Sequence, residues 1–177
     1  MSTLNEYLDQ KRAAVLARNG RDPKSVEPVK LRAHVSAEGR SGVRRIRIRD
    51  HQVVSDSPAD FAGYDLGPSS PELLLGSLGS CLTHIFLIKA AELELPLESL
   101  QVEIEGDLDP RGGKPGYERV PFFPHNIRYT AHIVSPADES AVRAVHEAVE
   151  QWCPILNLLK QPQPLEGRLL HTQTAAQ

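Results

Sequence analysis

Three features of the sequence predict an α+β fold with largely antiparallel sheet. Helical and strand-like stretches are grouped rather than strictly alternating, which argues against a succession of parallel βαβ units. Residues 99–108 and 125–134 alternate apolar and polar side chains as half-buried strands do. Between the groups, residues 67–95 carry the longest apolar run, with helical spacing. The predicted order is α, ββ(β), a long central α, β, β, α, α, β.

At 177 residues the chain is large enough to bury a core as a single domain. It divides into an N-terminal helical extension and link over 1–28 and one domain over 29–177. A net charge of −3 argues against a nucleic-acid surface. Arg45, Arg47 and Arg49 alternate with Ile46 and Ile48, the pattern of a strand with one solvated face. The first residues lack the apolar core of a signal peptide. The run 73–88 is broken by Gly, Ser, Thr and His and falls short of the roughly 18 to 20 residues a membrane-spanning helix needs. A cytoplasmic location, with no membrane partner, is expected. In that setting, two cysteines are expected to be free, catalytic or redox-sensing.

Residues 3–19 predict a helix that Thr3 can cap, with Leu4, Tyr7, Leu8, Ala14 and Val15 as a thin apolar side. Gly20 is its stop. This weakly amphipathic helix is expected on the outside or against a partner subunit, followed by a polar link over 22–27. Residues 29–36 and 43–49 predict a hairpin about the turn Glu38-Gly39-Arg40-Ser41-Gly42, with 52–55 as a short third strand. The central helix starts after Pro68, Ser69 and Ser70, whose hydroxyls can cap it. Pro71 suits the first helical position, and Glu72 lies in the first turn, where it complements the helix dipole. Leu74, Leu78, Cys81, Ile85 and Ile88 form the predicted apolar stripe. Gly76, Gly79, Ser80 and Thr83 form a second, small-residue stripe that lets another backbone approach. After the strand at 99–108 comes a Pro- and Gly-rich loop over 109–124, then the strand at 125–134. A helix follows from 135 to about 151, with Val142, Val145, Ala148 and Val149 inward. Cys153-Pro154 opens a short last helix, and 168–172 predicts an edge strand.

Cys153 falls at the N-cap of that short helix, where unpaired N–H groups and the dipole favour a thiolate; the competing reading is a small apolar turn residue. Cys81, on a buried stripe, reads by itself as a small hydrophobe. His84 lies three positions on, a spacing that can place both on one face. Cys81, Cys153 and His84 could thus offer zinc three ligands, but no Cys-x-x-Cys or His-x-x-x-His motif supports a metal, and none is expected. Nor is a cofactor, since no G-x-G-x-x-G or G-x-x-x-x-G-K-[ST] loop is present; the G-x-S-x-G elbow of hydrolases is missing too.

The segment PSSPELLLGSLGSCLTHIFLIKAAELELPLESLQVEIEG resembles the central helix and following strand of the OsmC/Ohr family, the osmotically inducible and organic-hydroperoxide-resistance proteins. WCPILNLL resembles that family's second cysteine motif, and AEGRSG the turn that carries its reactive-site arginine. The resemblance covers most of the chain from residue 29. It implies an OsmC-like fold of antiparallel sheets around long central helices, in an intertwined homodimer with sites at the subunit interface. It also implies a thiol-dependent peroxidase. Cys81 would reduce an organic hydroperoxide and become a sulfenic acid, and Cys153 would condense with it to a disulfide. An external dithiol, in several family members a lipoylated protein, would reduce that disulfide. Arg40 matches the arginine that stabilises the reactive thiolate. The best-characterised branch has a glutamate ten residues before the first cysteine to hold this arginine. Here Pro71 stands there and Glu72 is the nearest carboxylate, a pattern closer to the broad OsmC-like branches. The alternative is a non-enzymatic module of the same fold that binds an apolar small molecule or senses oxidants through its thiols.

Overall fold

A computed structural model describes residues 4–173. Helix α1 (Leu4–Asn19) precedes strands β1 (His34–Glu38), β2 (Val43–Ile48) and β3 (His51–Ser55). Helix α2 (Ser70–Glu92) follows, then strands β4 (Ser99–Asp107) and β5 (His125–Val134) and helices α3 (Glu139–Trp152) and α4 (Pro154–Lys160). The strands form two antiparallel sheets, β1-β2-β3 and β4-β5. The fold is α+β, as predicted, and α2 is its axis.

The start of α2 is fixed locally. Glu72 accepts hydrogen bonds from the Ser69 N–H at 2.7 Å and the Ser69 hydroxyl at 2.6 Å, holding the chain at the helix entry. Ser69 is therefore the N-cap, and Pro71 falls in the first turn, one position beyond its predicted place. At 23 residues α2 is long and apolar enough by composition to cross a bilayer, contrary to the sequence expectation. Here the deepest of its apolar residues face protein: Leu78, Leu82, Phe86, Ala90 and Ala91 are buried with Leu8 of α1, Val145 and Val149 of α3, and Leu156 of α4. The deepest stripe thus runs one position away from the predicted one, and Cys81 lies part-buried on its flank. Gly79 of the small-residue stripe faces β4, where an added Cβ would sit 3.1 Å from Ile104. The sheet lies close to the helix because that side chain is missing.

Helix α1 packs along α2 and buries Leu8 and Val15 of its thin apolar side, while Tyr7 and Ala14 stay exposed. The proposed Thr3 cap lies outside the described residues. Strands β4 and β5 match the predicted bounds to within a residue, with alternate side chains inward along both. The predicted first strand is shifted towards the C-terminus. Val29 and Leu31 are 82% and 89% exposed, pairing with β2 begins only at His34, and the strand continues to Glu38. Alternation over 29–33 has no facing strand to satisfy its backbone. The predicted edge strand at 168–172 is likewise exposed chain without ladder bonds.

Between β3 and α2, Asp56 organises the connection. Its buried carboxylate accepts the N–H groups of Ser57 at 2.8 Å, Tyr64 at 3.0 Å and Leu66 at 3.1 Å. The Leu66 N–H, then that of Ser57, hold the carboxyl below its ordinary 3.8, against the opposing effect of burial. The loop folds so tightly that an added Cβ on Gly63 would meet the Ser57 carbonyl oxygen at 1.8 Å.

A lowered carboxyl value means that the support from Asp56 is complete above the unfolded-state value and is lost as pH falls through the folded one. Hydrogen exchange at the Tyr64 and Leu66 amides should accelerate, relative to the core, as pH drops below 3.8, and Asp56→Asn should blunt that pH dependence. Unchanged protection across this range would remove Asp56 as the organiser. In the core, Phe86 is fully buried, and Phe86→Ala should cost about 3–5 kcal/mol in a urea melt.

Candidate functional site

Folding brings together two cysteines that lie 72 residues apart. Cys81 sits on α2, and Cys153 is at once the C-cap of α3 and the N-cap of α4. Their sulfurs are 3.5 Å apart, with the Cys153 thiol donating to Cys81. Both are free, Cys153 is fully buried and Cys81 part-buried. Of the pair, Cys81 is the more exposed residue and Cys153 the shielded one.

The predicted electrostatics of Cys153 are overturned. Burial, the largest influence, pushes its thiol above the ordinary 9.0. The Leu156 N–H at the start of α4 pulls the other way, the Cys81 sulfur adds to the rise, and the Ile155 N–H opposes it again. The helix-terminus effect is present, as the Cys-Pro pattern suggested, but desolvation outweighs it. Cys153 is thus the protonated partner that waits beside Cys81.

His84, one turn beyond Cys81, supplies no cation. Partial burial, then Lys11 and Arg18 of α1, hold its imidazole below the ordinary 6.5. Among the described residues no group of His, Cys, Asp or Glu side chains is gathered as a metal site.

Neither of the other two candidate residues is bonded to the thiols among the described residues. Arg40 is exposed in the β1–β2 turn, and among the described residues no hydrogen bond or ion pair joins it to Cys81, Cys153 or Glu72. Glu72 is nine residues before Cys81 (81 − 72), or about 13 Å along the helix axis and half a turn round it. Its carboxylate is engaged by Ser69.

Sequence reasoning missed the polar residues around the elbow between α3 and α4. Tyr129 of β5 donates to Glu150 and lies 2.9 Å from Nε2 of His146, whose ring stacks on Phe86. Burial, first, and the Glu150 carboxylate, next, raise the Tyr129 hydroxyl far above its ordinary value, so it stays protonated as a donor. Glu150 is also bound by Lys160, and the Asn157 side chain sits over the elbow's carbonyls. Only Asn157 left a sequence signal. An asparagine four residues after an N-capping cysteine is a poor helix former unless its amide has work there.

The chain belongs to the family of OsmC-like proteins, whose profile matches residues 63–167. No curated protein matches it. Among solved structures, an OsmC-like protein from Mycoplasma pneumoniae is similar, at 18% identity and a TM-score of 0.64, over 76% of this chain and 89% of that one. An organic hydroperoxide resistance protein OsmC from Legionella pneumophila is similar at 15% identity and a TM-score of 0.55, over 76% of this chain and 92% of that one. An OsmC-like hydroperoxide resistance protein from Jannaschia sp. CCS1 is similar at 19% and a TM-score of 0.50, over 75% and 85% of the two chains. The family thus includes hydroperoxide-resistance proteins, and the likeness at these identities is one of fold. The matched stretch spans both cysteines but neither α1 nor the β1–β3 sheet.

The thiol order has a direct readout. In Cys81→Ser protein, alkylation of Cys153 by iodoacetamide should be slow at neutral pH and rise only above pH 9, because burial remains its main influence. Fast neutral labelling of Cys153 would contradict the assignment.

Proposed function

We propose that this protein is a two-cysteine, thiol-dependent peroxidase acting on organic hydroperoxides. The observation that carries this reading is the 3.5 Å approach of the sulfur of part-buried Cys81 to the buried Cys153 thiol. As thiolate, Cys81 attacks the outer oxygen of ROOH. The O–O bond breaks, the leaving alkoxide takes a proton to become ROH, and Cys81 becomes a sulfenic acid. The Cys153 sulfur then attacks the Cys81 sulfur. A disulfide forms, and the Cys153 proton and the sulfenic hydroxyl depart as water. An external dithiol, such as a lipoyl group on a partner protein, restores both thiols and is itself oxidised to a disulfide. Part-buried Ile85 beside Cys81 makes the surroundings apolar, which favours an organic R group over hydrogen peroxide. Two free thiols suit a reducing, cytoplasmic compartment.

Cys81 needs a cation to hold its thiolate, and this reading assigns that role to Arg40 from a second copy of the chain. The β1–β3 sheet supports the assignment. One of its faces carries Val35, Ile46, Ile48 and Val53, and Val35, Ile48 and Val53 are 53%, 43% and 38% exposed. In a homodimer the second copy would cover this face and carry the β1–β2 turn towards the thiols. Glu72 contributes by fixing the start of α2.

Cys81→Ser should reduce hydroperoxide-dependent dithiol oxidation to background, and retained turnover would end this reading. Arg40→Ala should also lose activity. Mixing and re-equilibrating Arg40→Ala with Cys81→Ser chains should restore about a quarter of parent activity, since half the dimers are mixed and each has one complete site. No restoration by mixing would place Arg40's role within one chain or remove it.

A further inference from the structure

Cys153 sits at a sharp elbow where two backbone carbonyls of α3 would otherwise be orphaned, while its own carbonyl already accepts the Asn157 backbone N–H at 3.0 Å. The last turn of α3 leaves the Glu150 and Gln151 carbonyls without helical N–H partners. The Asn157 amide, reaching back from α4, donates to them at 3.2 Å each and to the Cys153 carbonyl at 2.8 Å. All three partners are acceptors, so only the NH₂ end of the side chain fits. Glu150, three residues before Cys153, ties the elbow to its neighbours. One carboxylate oxygen accepts from Tyr129 of β5, and the other accepts from Lys160 at the end of α4, at 2.5 Å. Burial pushes the Glu150 carboxyl up, but Lys160 and Tyr129 together outweigh it, and it stays ionised and able to hold both.

This clamp matters because the sulfurs stand 3.5 Å apart, whereas a disulfide needs about 2.05 Å. The remaining approach competes with a second peroxide. Cys81–SOH and HS–Cys153 give the disulfide and water; Cys81–SOH and a second ROOH give the sulfinic acid and ROH, which ends the cycle. We propose that Asn157 and the Glu150–Lys160 pair are positioning residues, which hold Cys153 so that the Cys81 sulfenic acid becomes a disulfide before a second hydroperoxide reaches it. The inference rests on the peroxidase reading and adds what decides its fidelity.

The test treats the reduced full-length chain with excess cumene hydroperoxide and resolves disulfide from sulfinic acid by intact mass. Asn157→Leu, close in size but without donors, should raise the sulfinic-to-disulfide ratio about tenfold, given how steeply rate depends on sub-ångström placement. Lys160→Met, at an exposed position, should raise it about two- to fivefold, and Lys160→Arg should restore the parent ratio. The initial rate of Cys81 oxidation should not change in any of the three. A lower melting temperature with an unmoved ratio in both Asn157→Leu and Lys160→Met would make the clamp structural only and overturn the proposal. If Cys81 in the parent chain is not oxidised, the peroxidase reading falls first and the proposal with it.

Discussion

The close approach of Cys153 to Cys81 depends on how α3 and α4 are seated on α2. Helix α2 presents a continuous buried stripe from Leu78 to Ala91, and Val145, Val149 and Leu156 close over it from both arms of the elbow. Cys153 is fully enclosed between those arms. Its burial explains two features together. The thiol is held protonated because a charge there would lose water without adequate compensation. It is also shielded from solvent, whereas Cys81 is only part-buried, so outside reagents meet Cys81 more readily. The division of labour between the two cysteines follows from packing before any specific catalytic group is invoked.

The remaining parts of the site are spread over two kinds of structure. The thiols belong to the helical body, which the OsmC-like profile spans. Arg40 belongs to the β1–β3 sheet, which packs mainly within itself and leaves an apolar face open. Glu72 has a local structural task, since its carboxylate fastens the first turn of α2 to Ser69 on the side of the helix opposite Cys81. In this chain the carboxylate nearest the expected position is spent on helix entry. Any ordering of an arginine must then rely on other groups.

Much of this was legible in the sequence, for identifiable reasons. β4 and β5 could be bounded closely because strict alternation reports a sheet with one face on a core, and the cap at Ser69 and Glu72 is a local pattern. The pairing of Cys81 with Cys153 came through family resemblance, because no spacing rule joins residues so far apart. The errors share one cause. Residues 29–33 and 168–172 alternate like strands, yet within the chain they are exposed and make no ladder. At Cys153 the helix terminus is a local effect, and burial, a tertiary one, outweighs it. Asn157, Glu150, Lys160 and Tyr129 come from three elements, and their meeting at one elbow is visible only after folding.

The central claim is that the two sulfurs act as one redox unit. A stoichiometric titration tests it most directly: reduced protein receives an organic hydroperoxide in sub-equivalent steps, with free thiols and alcohol product counted at each step. The account predicts two thiols lost and one alcohol formed per hydroperoxide, with a Cys81–Cys153 disulfide as the sole protein product. Loss of one thiol per hydroperoxide, or no loss at all, would contradict it.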